Sequence, residues 1–314
     1  MTVITAVAVR RSFLLLAIAW LTLIGGCARM PSTGVTALKP ATFSELEGYL
    51  LAHQADVDQF RVRGPFMVTT HNDYELRLSA SERIAADLYL AAPADKAPLV
   101  ILLHGHGNSK ADHAYQAMHL ATWGMHSLAL QLPNNGPWIR NGRTLARIVD
   151  LIQRRPEMLD SRIDAKKIIL VGHSFGGASV AVALAVGAAA AGGILLDPAT
   201  ADKGLPGFSR KVDKPVLVLG ADEEVSSARG RGSFYRYIRN GIAEISIRGA
   251  AHEDAQFALE TGTESAATEE QQITFVSALT AAAFSLAATG RFDYAWASFG
   301  DTTKNERFIN PRKK

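Results

Sequence analysis

Residues 167–177 read Lys-Ile-Ile-Leu-Val-Gly-His-Ser-Phe-Gly-Gly, a five-residue apolar-rich run that stops abruptly at glycine, with a serine two positions later and two more glycines beyond it. The length and β-branching of "IILV" predict a strand. The alanine-rich "GGASVAVALAVGAAA" that follows predicts a closely packed helix. A strand passing directly into a helix places its turn at the carboxyl edge of a parallel sheet, where open α/β proteins bind ligands. Gly172 and Gly176 let that turn be sharp and strained, which lifts the Ser174 hydroxyl out of the sheet.

The pattern repeats on both sides of this unit. "PLVILLHG", "HSLALQLP", "GGILLDP", "PVLVLGAD" and "AEISIRG" all read as short buried strands. Between or after them lie helical stretches: about Ala111 to Trp123, "TLARIVDLIQRR" with Leu145, Ile148, Val149 and Ile152 on one face, and "QQITFVSALTAAAFSLAA". Alternation of this kind predicts an α/β fold with a mostly parallel sheet covered on both faces. Upstream, Phe43, Leu46, Leu50 and Val57 recur at helical spacing. "FMVTTHNDYELRLSASERIAADLYLAAP" reads as two or three strands, broken at Asn72-Asp73 and again at Ser79 to Glu82.

A serine hydroxyl becomes a nucleophile at neutral pH when a histidine takes its proton and an acid orients the histidine. His252, in "AEISIRGAAHED", is the only histidine after Ser174 and follows a late strand, as the chain order Ser, acid, His requires. For the acid, "PVLVLGADEEV" offers Asp222, Glu223 and Glu224 in one short loop, and Asp197 stands before Pro198 at the end of an earlier strand. There an aspartate more often terminates the strand and shapes a pocket floor. Oxyanion donors are expected from the backbone amides of His106, in "LLHGHGNS", and of Phe175, with Gly105 and Gly107 allowing close approach. His104 and His106 supply too few ligands at the wrong spacing for a metal, and no acidic cluster completes them, so no metal or cofactor is expected.

Together these residues resemble the α/β-hydrolase family over roughly Ala85 to Ala287. "ADLYLAAPADKAPLVILLHGHGNS" is similar to the entry into dienelactone-hydrolase-like and cutinase-like members, and "RIDAKKIILVGHSFGG" to the stretch leading to their nucleophile. "PVLVLGADEE" resembles the acid-bearing strand of cutinase-like polyester hydrolases, where Glu224 matches the register of the acid. Because the chain has Glu there and lacks the Ile-Ala-Pro that usually follows, Glu224 and Asp222 stand level as the acid, ahead of Asp197. A dienelactone hydrolase usually carries cysteine as nucleophile, so Ser174 argues against that activity.

The resemblance implies an α/β-hydrolase fold and a serine-dependent carboxylic ester hydrolase. The same residues would serve an amidase, a peptidase or an acyltransferase. A non-catalytic envelope binding protein on the same fold is the rival from another class, and the complete Ser, acid and His positions weigh against it. Residues Asp197 to Lys214 are too few for a large cap domain, so an open site is expected, suited to an ester-containing small molecule, lipid or polymer. Trp138, in the loop "PNNGPWIRNG", is expected to flank the substrate together with Gly105 and Asp197.

Arg10 and Arg11 precede the apolar run "SFLLLAIAWLTLIGG", which has the length of a signal-peptide core and is short for a membrane span. "LIGGC" resembles a bacterial lipobox with Cys27 as the lipidated residue, and "RRSFLL" resembles a twin-arginine export signal. The expected organisation is a signal over residues 1–26, a tether over 27–40, the hydrolase domain over 41–290 and a basic tail over 291–314. An exported, lipid-anchored envelope protein follows, periplasmic or outer-membrane associated. Cys27 is the single cysteine, which excludes a disulfide or a cysteine nucleophile from the globular part. A net charge of +3 without interleaved basic and aromatic residues gives no nucleic-acid site.

Overall fold

The computed structural model describes residues 40–314, apart from Ala55, Ala94 and residues 225–228 and 260–265. The expected signal, Cys27 and nearly all of the tether lie outside the described residues. In chain order the elements are α1 (Phe43–Ala52), β1 (Val68–Arg77), β2 (Arg83–Ala91), β3 (Ala97–Leu103), α2 (Ala114–Thr122), β4 (His126–Gln131), α3 (Trp138–Arg154), β5 (Ile163–His173), α4 (Phe175–Ala185), β6 (Gly192–Leu196), α5 (Leu205–Ser209), β7 (Val216–Gly220), α6 (Arg231–Tyr237), β8 (Ile242–Ile247), α7 (Ala266–Thr289), α8 (Asp293–Phe299) and β9 (Phe308–Lys313).

The nine strands form one sheet in the order β1-β2-β4-β3-β5-β6-β7-β8-β9. Strands β4, β3, β5, β6, β7 and β8 run parallel, and β1, β2 and β9 supply the antiparallel pairings. Every residue of β3, β6, β7 and β8 is buried, as apolar runs covered on both faces must be. Helices α3, α4, α5 and α6 pack in sequence on one face. There Leu145, Ile148, Val149 and Ile152 of α3 meet the small side chains of α4. On the other face α7 packs against α2, α8 and the sheet, with Phe43, Phe60, Phe284 and Tyr294 in ring contact. This is the α/β architecture expected from the sequence, and residues 197–214 hold only the five-residue α5 rather than a cap.

Helix α7 is apolar and long enough to cross a membrane by composition alone, yet its apolar window is 83% buried within the fold. Thr274 and Thr280 donate their hydroxyls to carbonyls one turn back, which lets these polar side chains sit in the core, and Thr274 Oγ1 also accepts from Arg61 Nη1 at 3.2 Å.

Three expectations are corrected. Asn72-Asp73 does not break a strand: β1 continues through it as a bulge, with Asp73 at φ +53° and its N–H donated to Asp87 Oδ1 at 2.9 Å. The loop around Trp138 is half helix, because α3 starts at Trp138 itself. Residues 291–314 are no tail: they form α8 and the edge strand β9, which pairs antiparallel with β8. Its basic side chains made β9 read as solvated, but one of them, Arg312, reaches a buried carboxylate on β8. The predicted helix upstream divides into α1 and a 3-10 turn at Val57–Arg61, with all four predicted apolar positions buried.

Candidate active site

Ser174 has φ +53° and ψ −125°, a conformation costly for any residue with a side chain. Its surroundings hold it there. Its N–H donates to the Leu196 carbonyl at 3.0 Å, and its own carbonyl accepts from the amides of Gly177 and Ala199. A methyl at Gly172 would strike the Gly176 carbonyl, and one at Gly176 would strike the carbonyls of Leu103 and His104. The turn therefore closes only with glycine at both places, and it locks the end of β3 against the start of α4.

His252 follows β8, just before a 3-10 turn over Glu253–Ala255. Its loop is shaped by the Ala251 amide donating to Asp254 Oδ2 at 2.8 Å. The His252 ring packs on that of His173, with centroids 4.6 Å apart, and the His252 carbonyl accepts from His173 Nε2 at 3.1 Å. His173 immediately precedes Ser174, so this contact holds His252 against the residue next to the serine. Complete burial, then the neighbouring His252 and His113, hold the His173 pKa well below the usual histidine value. A neutral His173 with its proton on Nε2 fits the bond it makes.

His252 Nδ1 lies 2.5 Å from Asp197 Oδ2. Asp197 sits directly after β6 at φ +35°, with its side chain only 1% exposed. Its other oxygen, Oδ1, accepts from the Ala221 amide at 3.0 Å and from Arg231 Nη1 at 3.1 Å. A carboxylate so held accepts Nδ1–H, which leaves Nε2 of the imidazole as the basic atom.

Neither acid expected to face the histidine does so. Asp222 Oδ2 accepts from the Gly249 amide at 2.6 Å, and Glu224 Oε1 accepts from the Gly232 amide in the first turn of α6 at 2.6 Å. Both are held by backbone donors in loops beyond β7, whereas β6 lies next to the serine's own strand. Asp197, which the sequence ranks third as the acid and favours as the floor of the pocket, is the carboxylate that contacts His252. Arg231 and His173 drew no notice in the sequence. The one available hint was an arginine beside glycines, "RGRGS", shortly after the acidic loop.

His106 lies in the turn after β3, with Gly105 packed against the serine: a methyl on Gly105 would come within 2.8 Å of Ser174 Cβ. The His106 and Phe175 amides donate to no protein group among the described residues. They are free to serve an incoming oxygen. The buried His104 ring stands between the carbonyls of Gly105 and Leu132, each at 2.9 Å, with its pKa lowered by burial, while His106 is exposed. The two therefore do not converge, and among the described residues no cluster suited to a metal ion occurs.

The Trp138 ring stacks on Phe175, with centroids 5.4 Å apart and planes 16° from parallel, and the His106 ring meets Phe175 edge-on. The Trp138 carbonyl accepts from Ser179 Oγ at 2.9 Å, which anchors α3 to α4. Beyond Trp138 an open depression of about 560 Å³ is lined by Asn135, Gly136, Pro137, Ala201 and Asp202.

No curated protein matches the chain. Residues 100–303 match the alpha/beta hydrolase family. That span begins in β3 and runs past α8, taking in every residue of the site just described, and it exceeds half of the 314 residues. The chain belongs to the alpha/beta hydrolase family.

Proposed function

We propose that this protein is a serine hydrolase of carboxylic esters. The observation that carries the reading is the 2.5 Å contact between His252 Nδ1 and Asp197 Oδ2, beside a serine on a strained strand-to-helix turn. His252 Nε2 takes the Ser174 proton as Oγ attacks the acyl carbon, and the imidazolium that forms is stabilised by Asp197. The amides of His106 and Phe175 receive the negative charge that develops on the carbonyl oxygen. His252 then gives its proton to the departing alcohol, leaving an acyl-Ser174. A water attacks this ester by the reverse route: His252 takes its proton, the acid leaves, and Ser174 recovers its hydrogen. The same steps serve amide cleavage or acyl transfer when the leaving or attacking group changes.

The open surface beside Trp138 favours esters with extended acyl groups over small soluble ones. No cofactor is assigned. Lipidation at Cys27 would tether the domain to a bacterial envelope membrane, in keeping with an exported enzyme and with lipid or polymer esters as substrates.

The test is labelling of the detergent-solubilised full chain by a fluorophosphonate. Labelling of the parent, and of neither Ser174→Ala nor His252→Ala, together with turnover of a p-nitrophenyl ester, supports the reading. A folded parent that neither labels nor turns over ester would be a binding protein on this fold.

A further inference from the structure

We infer that Arg231 is a positioning residue for this site, aiming the Asp197 carboxylate at His252, and that Glu244 and Arg312 hold Arg231 in place from β8 and β9. The inference rests on the reading of Asp197 as the residue that orients His252.

Burying a guanidinium is costly unless acceptors surround it. The Arg231 side chain is 9% exposed, and its acceptors come from three separate strands. Nη1 donates to Asp197 Oδ1 after β6 at 3.1 Å, and Nη2 to the Asp222 carbonyl after β7 at 3.1 Å. Nε lies 3.5 Å from Glu244 Oε1 on β8. Glu244 is also buried and is met from the sheet edge by Arg312 Nη2, at 2.8 Å to both its oxygens. Burial pushes the Glu244 pKa up, while Arg312 and then Arg231 oppose that shift. The signs alternate from Asp197 through Arg231 and Glu244 to Arg312, so each buried charge has an opposite neighbour.

The route of the side chain is prepared by the residues around it. Gly220, the last residue of β7, leaves the space through which Arg231 passes: a methyl there would lie 2.6 Å from Arg231 Cδ. Glu224, bound to the Gly232 amide, accepts from the first turn of α6 and so fixes the helix that begins with Arg231. Asp222 gives its carbonyl to Arg231 and its carboxylate to Gly249, three residues before His252.

A carboxylate can turn about its Cβ–Cγ bond, and a hydrogen bond to His252 alone would not stop it. With Oδ1 held by the Ala221 amide and by Arg231, Oδ2 is left facing Nδ1. Without Arg231, Asp197 and Glu244 would be two carboxylates facing one buried hole, and mutual repulsion would drive Asp197 from its present orientation. A role confined to folding would leave the reaction of the folded protein unchanged.

The experiment compares Arg231→Met, Arg231→Lys and Arg312→Met with the parent, as full chains in detergent. It measures kcat and KM on a soluble p-nitrophenyl ester and the downfield proton resonance of His252 Nδ1, assigned by its loss in His252→Ala. The expected result for Arg231→Met is a kcat at least 30-fold lower, KM within twofold of the parent, and a displaced or broadened resonance. Arg231→Lys, with one cation in place of a fork, should recover to between three- and tenfold below the parent. Arg312→Met, acting through Glu244, should lose kcat by about threefold. A folded Arg231→Met with the parent's kcat and an unmoved resonance overturns the inference. If that variant does not fold, Arg231→Lys decides: a kcat three- to tenfold lower at constant KM supports it, and the parent's kcat overturns it. A parent without turnover sinks the ester hydrolase reading instead, and the resonance still reports whether Arg231 governs the contact between His252 and Asp197.

Discussion

Asp197 and His252 meet at 2.5 Å across the ends of β6 and β8, with the Arg231 guanidinium on the far oxygen of the same carboxylate. The strand between them, β7, contributes no side chain to the histidine. Its loop carries Asp222 and Glu224, which bind backbone amides.

Substitution should separate these three carboxylates. Asp197→Asn removes the acceptor that fixes the imidazole tautomer, and kcat should fall by about 10³ to 10⁴-fold. Asp222→Asn and Glu224→Gln keep an oxygen for the same amides, and each should stay within about fivefold of the parent. Steady-state kinetics on one soluble ester checks all three. A loss at Glu224→Gln as deep as that at Asp197→Asn would refute the assignment.

The strain at Ser174 should be visible as stability. At φ +53° and ψ −125° a side chain costs about 1–3 kcal/mol, which glycine relieves and alanine does not. Ser174→Gly and Ser174→Ala should both be inert, but the glycine protein should melt a few degrees higher. Equal melting temperatures by scanning calorimetry would show that the turn stores no such strain.

Trp138 should set preference among substrates rather than reactivity. Trp138→Ala is expected to lower kcat/KM at least tenfold for octanoyl or aryl acyl esters, and less than threefold for an acetate, because only the longer acyl groups can reach its ring. A uniform loss across the panel would mean that the ring serves only to pack α3 against Phe175.

Acid should unfold this protein through its core histidines. Burial lowers the pKa of His113, His119 and His126 to about 4. The unfolded chain takes these protons below about pH 6.5, so the unfolded state binds more protons between those values. Stability is thus complete above about pH 6.5 and declines as pH falls through 4, by on the order of 3 kcal/mol for each histidine. Neither His126 ring nitrogen has a well-formed hydrogen bond. His126→Phe should therefore lose less melting temperature than its parent between pH 7.5 and 4.5. Parallel melting curves over that range would contradict this.

The parallel core was legible because its strands are apolar on both faces and of fixed length, and α3 announced its buried stripe at Leu145, Ile148, Val149 and Ile152. The candidate nucleophile and histidine stood out because glycines bracket the one, and no second histidine follows to compete with the other. The acid was not legible. Four carboxylates follow the two neighbouring strands, Asp197 after β6 and Asp222, Glu223 and Glu224 after β7, and which of them turns toward His252 depends on the backbone at Asp197, whose positive φ has no signature in "LLDP". The edge strand β9 was missed for a related reason: "FINPRK" carries the charge and proline of an exposed segment, which is also what an edge strand tolerates. Arg231 left only the faint hint of "RGRGS", since its partners lie on strands that only the folded sheet makes adjacent.

The contact of Gly176 with the carbonyls of Leu103 and His104 divides this protein into parts that can vary and parts that cannot. Because the serine's turn and the His106 turn touch through bare backbone, no compensating side chain exists to be exchanged, and neither turn can shift without the other. Directed evolution of new substrate preferences would find no neutral path through these two turns. Variation is left to Trp138 and to the open rim from Asn135 to Asp202, whose side chains can change while the reacting atoms keep their places.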